Sequence, residues 1–284
     1  MQRQILILGW RWMLWSMLSN FLKKQWYLID ITVSSLPRNE NEILLSIHSV
    51  EYIKRLELIL SKGNYEFVIN CIAILRWDIS NPKEVAQCFL VNWHLPRTLS
   101  YFANQFGYKN IHISTNWVFS SGHGMYCDNE IPNDTSLYGI TKIAWEVFSD
   151  RTLILRTSII WTDYINKGGF LEWVISHKSN ETITGYENVF WNGVTTLTLS
   201  EIIEYIIESK KNDHWILHIA GELISKKVLI WIISETFECN LSIISDKSIS
   251  ENRTLSPSLS AKSFQYIIAP ILTQVNALKN YSAR

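Results

Sequence analysis

The stretch Ile5-Leu6-Ile7-Leu8-Gly9-Trp10-Arg11-Trp12-Met13-Leu14-Trp15 decides how the rest of this chain folds. Four apolar residues running into a glycine predict a strand buried on both faces. The apolar period from Met13 to Leu22 predicts a helix that begins after a sharp turn and ends near Lys24. Glycines recur at fixed offsets in such a turn because the backbone must bend tightly, approach a phosphate and let helix pack on strand. Gly9 holds the first of those places, and Trp12 and Trp15 hold the next two, three residues apart. Trp10 fills a further place that is commonly small. A tryptophan forced to positive φ costs about 1–2 kcal/mol, and an overpacked site adds roughly 1–3 kcal/mol.

The frame is that of a βαβ unit that binds a dinucleotide at Gly9 to Trp15, with a plain buried strand and helix as the alternative. The next strand, Tyr27–Val33, ends at Ser34-Ser35-Leu36-Pro37-Arg38. A carboxylate at the end of this strand would bond the adenosine ribose and repel a 2′-phosphate. Asp30 comes too early for that, and the strand end offers Thr32, Ser34, Ser35 and Arg38, which leans towards NADP(H) over NAD(H). Arg38 reads equally as a solvated loop cation.

Working outward, alternating strands and helices predict a doubly wound, parallel, Rossmann-like α/β sheet. Glu51–Lys62 reads as a helix and Phe67–Ile72 as a strand, whose end, Asn70-Cys71-Ile72-Ala73, is the usual place for a loop beneath a nicotinamide-type cofactor. One long helix is expected from Pro82 to Phe106, bent at Pro96, and a strand over Asn110–Ser114. Residues 1–160 are expected to form the dinucleotide-binding domain, and 161–284 a smaller C-terminal substrate lobe. In that lobe Gly168-Gly169-Phe170 opens a helix reaching about His177. Thr198–Ser209 reads as a helix, Trp215–Ala220 as a strand and Ser225–Phe237 as a helix. Beyond Ser245 the expectation is an exposed, partly irregular end with one helix near Ile271–Lys279.

Composition narrows the function classes. Lysine plus arginine equal aspartate plus glutamate at 26 each, which speaks against a nucleic-acid or anionic-membrane partner. The four cysteines form no CxxC pair and fit a reducing compartment, hence a cytoplasmic protein. The seven histidines show no ligand spacing, so no metal is expected. Ile5–Leu22 imitates a membrane helix, but Gly9 and Arg11 interrupt it. The chain has 11 glycines where about 20 would be average for this length. It has 13 tryptophans, and a deficit of the smallest side chain beside a surplus of the largest suggests replacement of one by the other.

The strongest local signal lies between Ser114 and Glu146. A strand ending Ser114-Thr115-Asn116-Trp117-Val118-Phe119 is followed about twenty residues later by Tyr138-Gly139-Ile140-Thr141-Lys142. Tyrosine and lysine four apart share a helical face. An ammonium beside a phenol lowers a pKa that starts near 10, so the pair can give a proton to a ketone or take one from an alcohol.

With these residues in place, the chain resembles an extended short-chain dehydrogenase/reductase, most closely the dTDP-4-dehydrorhamnose reductase (RmlD-like) group. The resemblance rests on Ile5–Trp15 as an altered GxxGxxG, Val68-Ile69-Asn70-Cys71, Asn92-Trp93-His94-Leu95-Pro96, Ser114–Phe119 and Tyr126–Pro132 with Leu137–Lys142. Leu155-Arg156-Thr157-Ser158 and Asn192-Gly193-Val194-Thr195-Thr196 complete it. It implies an oxidoreductase of polysaccharide biosynthesis that takes NADP(H) or NAD(H) and a nucleotide-linked 4-keto sugar. Tyr138 would give the proton, Lys142 would tune it and hold the ribose, and Thr115 would bond the reacting oxygen, with hydride from the nicotinamide. The cofactor would lie against Gly9, Trp10, Arg11, Trp12, Met13, Leu14, Trp15, Thr32, Arg38, Asn70 and Cys71. The sugar would lie against Asn116, Trp117 and Ser158. Pairing as a homodimer stays open.

The departures sit where the family has small residues. Trp145 stands at the second glycine of Tyr-Gly-x-x-Lys-x-x-Gly-Glu, Trp161 follows Ser158-Ile159-Ile160 at another usual glycine, and Trp26, Trp77, Trp93, Trp191 and Trp215 are candidates. Asn116 and Trp117 fall where aspartate and then tyrosine or cysteine are common. Trp173 and Trp231, on apolar helix faces, read as ordinary aromatics. The expectation is therefore a reductase lineage whose cofactor turn is blocked by Trp10, Trp12 and Trp15, inactive as written, with a working enzyme of unusual turn as the alternative.

Overall fold

The computed structural model describes residues 2–9, 13–75, 80–146, 149–161, 168–209, 216–257 and 266–282. Strand β1 (Gln4–Leu8) places Ile5, Leu6, Ile7 and Leu8 at 0% exposure. An unbroken apolar run suits a central parallel strand, because helices cover both of its faces. Helix α1 (Met13–Lys24) follows and turns Leu14, Leu18, Phe21 and Leu22 inward, the one-sided spacing of an amphipathic helix.

The chain continues through β2 (Leu28–Val33), β3 (Glu42–Leu44), α2 (Tyr52–Lys62) and β4 (Phe67–Asn70). Then come α3 (Pro82–Phe89), α4 (Leu95–Phe106), β5 (Lys109–Thr115), α5 (Leu137–Ile143) and β6 (Thr152–Thr157). With β10 (Ile216–Ile219) these strands form one sheet in the order β10-β6-β5-β4-β1-β2-β3. β1 is parallel to β2 on one side, with Ile5 opposite Ile29, and parallel to β4 on the other, with Ile5 opposite Phe67. The chain thus leaves β1 in one direction and returns on its other side. In open α/β sheets, ligands bind at the carboxyl ends of the two strands flanking that reversal. Here those ends are Leu8-Gly9 and Asn70-Cys71. The doubly wound parallel fold expected from the sequence is the fold present.

One helix expected whole is interrupted. Between α3 and α4, Leu90–His94 form a π turn in which the Leu95 amide reaches back five residues to the Leu90 carbonyl. The reason is Pro96, which has no N–H to give and whose ring would strike the preceding turn; the wider turn makes room for it. Leu6, Leu8, Leu45, Leu56, Val68, Val91, Leu99 and Phe102 form the centre of the core between this sheet and α2 and α4. Each such buried side chain contributes about 1.5–3 kcal/mol.

The chain divides into two compact units, each assembled from separate stretches. One comprises Met1–Val118, Pro132–Leu155 and Lys210–Ile216; the other comprises Phe119–Ile131, Arg156–Ser209 and Leu217–Arg284. In the second, β7 (Ile159–Ile160) pairs in parallel with β9 (Val194–Thr195). β8 (Thr182–Trp191) lies between β11 (Ile224–Ser225) and β12 (Ser242–Asn252). Its helices are α6 (Phe170–Ile175), α7 (Thr196–Ser209), α8 (Lys226–Thr236) and α9 (Ile271–Ser282). The end expected to be irregular beyond Ser245 contains most of β12, a strand of eleven residues. β12 escapes a pattern search because it is largely exposed, and β8 because its exposed-buried alternation stops after its first four residues. Among the described residues no helix is long and apolar enough to cross a membrane.

Helix α1 ends unusually. The Trp26 amide donates to Lys23 O at 3.1 Å and the Tyr27 amide to Leu22 O at 3.3 Å, the paired bonds of a Schellman cap, whose left-handed residue is ordinarily glycine. Trp26 occupies that place at φ +66° with its side chain 79% exposed. Relief of a left-handed penalty of about 1–2 kcal/mol outweighs the roughly 0.5–1 kcal/mol entropic cost of a glycine. Trp26→Gly should therefore stabilise the chain by about 0.5–1 kcal/mol, read as a rise in the urea midpoint at unchanged slope.

Candidate functional site

At the end of β1 the residue that should leave the turn open fills it. A Cβ built on Gly9 would lie 1.9 Å from Trp15 Cδ1, so the indole rests directly on the glycine backbone. Trp15 is buried, and its Nε1 finds no hydrogen-bond partner among the described residues. A dinucleotide fold seats its pyrophosphate on this turn, at the amino end of the first helix. The Trp15 indole lies against the Gly9 end of that turn. Trp10, Arg11 and Trp12 lie outside the described residues; Met13 opens α1, and Leu14 belongs to the core.

The other expected cofactor contacts face the protein. Thr32 is wholly buried, and its Oγ1 accepts the Gly9 amide at 3.3 Å, so it braces the turn from below instead of marking a ribose site. Asn70 is wholly buried too. Its Nδ2 lies 2.9 Å from His112 Nδ1, and its Oδ1 accepts the Ile72 amide at 3.0 Å. The Cys71 amide donates to Leu8 O at 2.9 Å, and burial pushes its thiol up to about 12. Arg38 is exposed, and its amide donates to Glu42 Oε2 at 2.8 Å.

Of the proton-handling residues, Thr115 and Tyr138 come together, and Lys142 is bound elsewhere. Thr115 ends β5, and Tyr138 stands on the first turn of α5, where Ser136 accepts the Gly139 amide at 3.1 Å as the helix cap. Gly139 is required there, since a Cβ would come within 2.2 Å of Asp134 Oδ1. The Tyr138 phenol hydrogen-bonds with the Thr115 side chain. Its pKa is raised above the usual phenol value, chiefly by burial, with the Thr115 bond pulling the other way. The lowering expected from Lys142 is not what this geometry gives. Lys142 is 1% exposed; its Nζ donates to Ile113 O at 3.1 Å and lies 3.3 Å from His112 Nε2. Burial lowers its pKa to about 8, against the raising influence of Glu146 and Cys88.

Beside this lysine stands Trp145. Its indole is buried, with its ring centroid 3.6 Å from that of His112 and tilted by 54°, and Nε1 again finds no partner among the described residues. Aromatic pairs ordinarily keep centroids 4.5–7 Å apart, so the space suits a smaller residue. Trp161 repeats the pattern: a Cβ on Gly169, at φ +106°, would lie 2.6 Å from its ring, and its Nε1 is likewise unpartnered among the described residues.

Of the expected sugar contacts, Asn116 and Trp117 lie in a single 3-10 turn after β5, with Trp117 exposed and its amide bonded to Thr115 Oγ1 at 3.2 Å. Ser158 belongs to the second unit and is engaged already: its Oγ accepts Trp191 Nε1 at 2.8 Å. Two supports were missed from sequence. His112, wholly buried, links Asn70 to Lys142 and is held neutral, its pKa lowered first by burial and then by the Lys142 charge. Asn92 clamps Ile74 by its amide and carbonyl at 2.8 and 2.9 Å, and its Nδ2 lies 3.4 Å from Thr141 Oγ1. Its only sequence signal is a polar residue in the turn just ahead of Pro96.

With this geometry in view, the comparisons decide the family. The RmlD substrate binding domain model matches residues 3–232, most of the chain. The chain belongs to that family. No curated protein matches it. Among solved structures, this RmlD-family chain is similar to the dTDP-4-dehydrorhamnose reductase of Bacillus anthracis str. Ames in complex with NADP. The two share 16% identity over 99% of this chain and 100% of that one, at TM-score 0.82. It is also similar to the hypothetical dTDP-4-dehydrorhamnose reductase of Sulfolobus tokodaii, at 24% identity over 94% and 95% with TM-score 0.75. A third is the Bordetella bronchiseptica enzyme WbmG in complex with NAD and UDP, at 16% over 100% and 94% with TM-score 0.77.

The depressed Lys142 carries a stability signature. Its folded pKa, about 8, lies below the 10.5 of the free side chain, so the folded state is favoured by the neutral amine. That stability is fully present above pH 10.5 and is lost as pH falls through about 8. Lys142→Met should remove this slope, worth up to about 3 kcal/mol across the window, in urea unfolding followed from pH 7 to 11.

Proposed function

We propose that the chain descends from an NADP(H)-preferring reductase of a nucleotide-linked 4-keto sugar, and that with the residues written here it does not bind the dinucleotide. The lineage is supported by the hydrogen bond between Thr115, at the end of β5, and Tyr138, at the start of α5, with Lys142 one turn further along the same helix. A phenol bonded to a threonine hydroxyl holds, at neutral pH, the proton a carbonyl oxygen would take, and a bound substrate that brings its pKa back down would make it the stronger donor. Thr115 would hold that oxygen, and Lys142 would supply positive charge from below. The neighbouring solved enzymes carry NADP, or NAD with UDP, which supports a nucleotide sugar as substrate and a pyridine nucleotide as the lineage's coenzyme. The loss rests on one observation: the Trp15 indole lies on Gly9 where the turn would have to admit phosphates. As a reduced-thiol, charge-balanced chain it is read as cytoplasmic, acting at most as a binding or structural protein.

Calorimetric titration with NADPH and NADH tests this. No heat at micromolar coenzyme is expected for the chain as written, and binding should appear once Trp12→Gly and Trp15→Gly are made together. Micromolar binding without those changes would favour the second reading, an active reductase with an unusual turn. In any binding-competent form, Tyr138→Phe should lower turnover of a 4-keto sugar nucleotide by about 10²–10⁴ while leaving coenzyme affinity intact.

A further inference from the structure

Four tryptophans misfit their surroundings, one by its backbone and three by their packing. Trp26 holds the left-handed residue of a Schellman cap at φ +66°, with a large apolar side chain in solvent. Trp15 fills the room above Gly9, Trp145 crowds His112 at 3.6 Å, and Trp161 presses on Gly169. The last three bury an indole N–H with no partner among the described residues. Other tryptophans are partnered. Trp191 also lies close over a glycine, 2.5 Å from a Cβ built on Gly193, but it donates to Ser158 Oγ at 2.8 Å, and Trp173 packs on Phe170 and His177 with centroids 5.7 and 4.9 Å away. Trp231 lies half-exposed on α8.

Random decay of an abandoned gene does not give this pattern. Single-base changes from glycine codons reach alanine, serine, arginine, valine, aspartate, glutamate and cysteine as well as tryptophan, yet the four buried or capping misfits named above are all tryptophan, even though the cap after α8 holds Glu238 at the same left-handed place, φ +59°. Decay would also have touched Tyr138, Lys142, the Ser136 cap or Gly139, and all are intact. One cause acting at many places is needed. A single codon, UGA, is read as tryptophan in some genetic codes and as glycine in others.

We infer that Trp10, Trp12, Trp15, Trp26, Trp145 and Trp161 are glycine in the protein its own cell makes, each encoded by UGA, whereas Trp173, Trp191 and Trp231 are true tryptophans encoded by UGG. Trp10 and Trp12 enter on sequence position, the other four on packing or backbone. The shortfall of glycine against the average noted above is then a consequence of decoding. The native chain would carry glycine at positions 10, 12 and 15 beside the Gly9 and Arg11 already present, an unobstructed phosphate turn. This deepens the reductase reading and rests on it only in expecting coenzyme to bind.

The gene and the native protein test it separately from that reading. Sequencing should find UGA at the six positions and UGG at the three. Peptide mass spectrometry of the chain isolated from its own cell should find glycine masses at the six and tryptophan masses at the three. UGG at positions 12, 15 and 26, or tryptophan in the native peptides there, would overturn the inference. The six-glycine chain should then give saturable NADPH heat where the tryptophan chain gives none. UGA codons and glycine peptides without coenzyme binding would uphold the decoding and sink the reductase reading instead.

Discussion

The close approach of α1 to β1 is the constraint on which the rest of the structure depends. β1 is sealed from water on both faces, so helices must lie against it on each side, and the first of them must start within a few residues of the strand's end. Such a turn tolerates little side-chain volume. With an indole resting on the Gly9 backbone, the strand and helix are still built, because their apolar faces are intact. The indole takes up space directly above the Gly9 backbone that folding itself does not require.

The proton-handling cluster depends on a different physical term. Lys142 and His112 are buried and Tyr138 is half-buried, and loss of solvent sets the direction of all three pKa shifts: up for the phenol, down for the amine and the imidazole. A protonated phenol and a lysine poised near neutrality are a usable donor and a tunable charge. The Lys142 contacts run to His112 and the Ile113 carbonyl, so the lysine charge is spent on the strand beneath the phenol. Trp145, wedged against that same imidazole, shows how little spare volume the cluster has.

The fold was legible because its determinants are local or periodic. The Ile5–Leu8 run, the α1 period and the strand-helix alternation to Thr115 each specify their element without reference to the rest of the chain. The pairing of Thr115 with Tyr138 was legible through spacing. Less legible were features created by neighbours: the π turn set by Pro96 against α3, the pairing of β8 with the exposed β12, and the inward use of Thr32 and Asn70. A threonine at the end of a strand looks the same in sequence whether it faces a ribose or props a glycine amide.

The sequence by itself determined the parallel sheet, the helix that follows β1, the candidate acid Tyr138 and the conflict between tryptophan and glycine in the first turn. Only the tertiary structure decided that Lys142 is held by His112 and the Ile113 carbonyl, that the phenol is raised, and which tryptophans are misfits. The physical reason is that periodicity reports which face of an element is buried. A pKa, an unpartnered N–H or a positive φ depends on what the folded chain brings next to it.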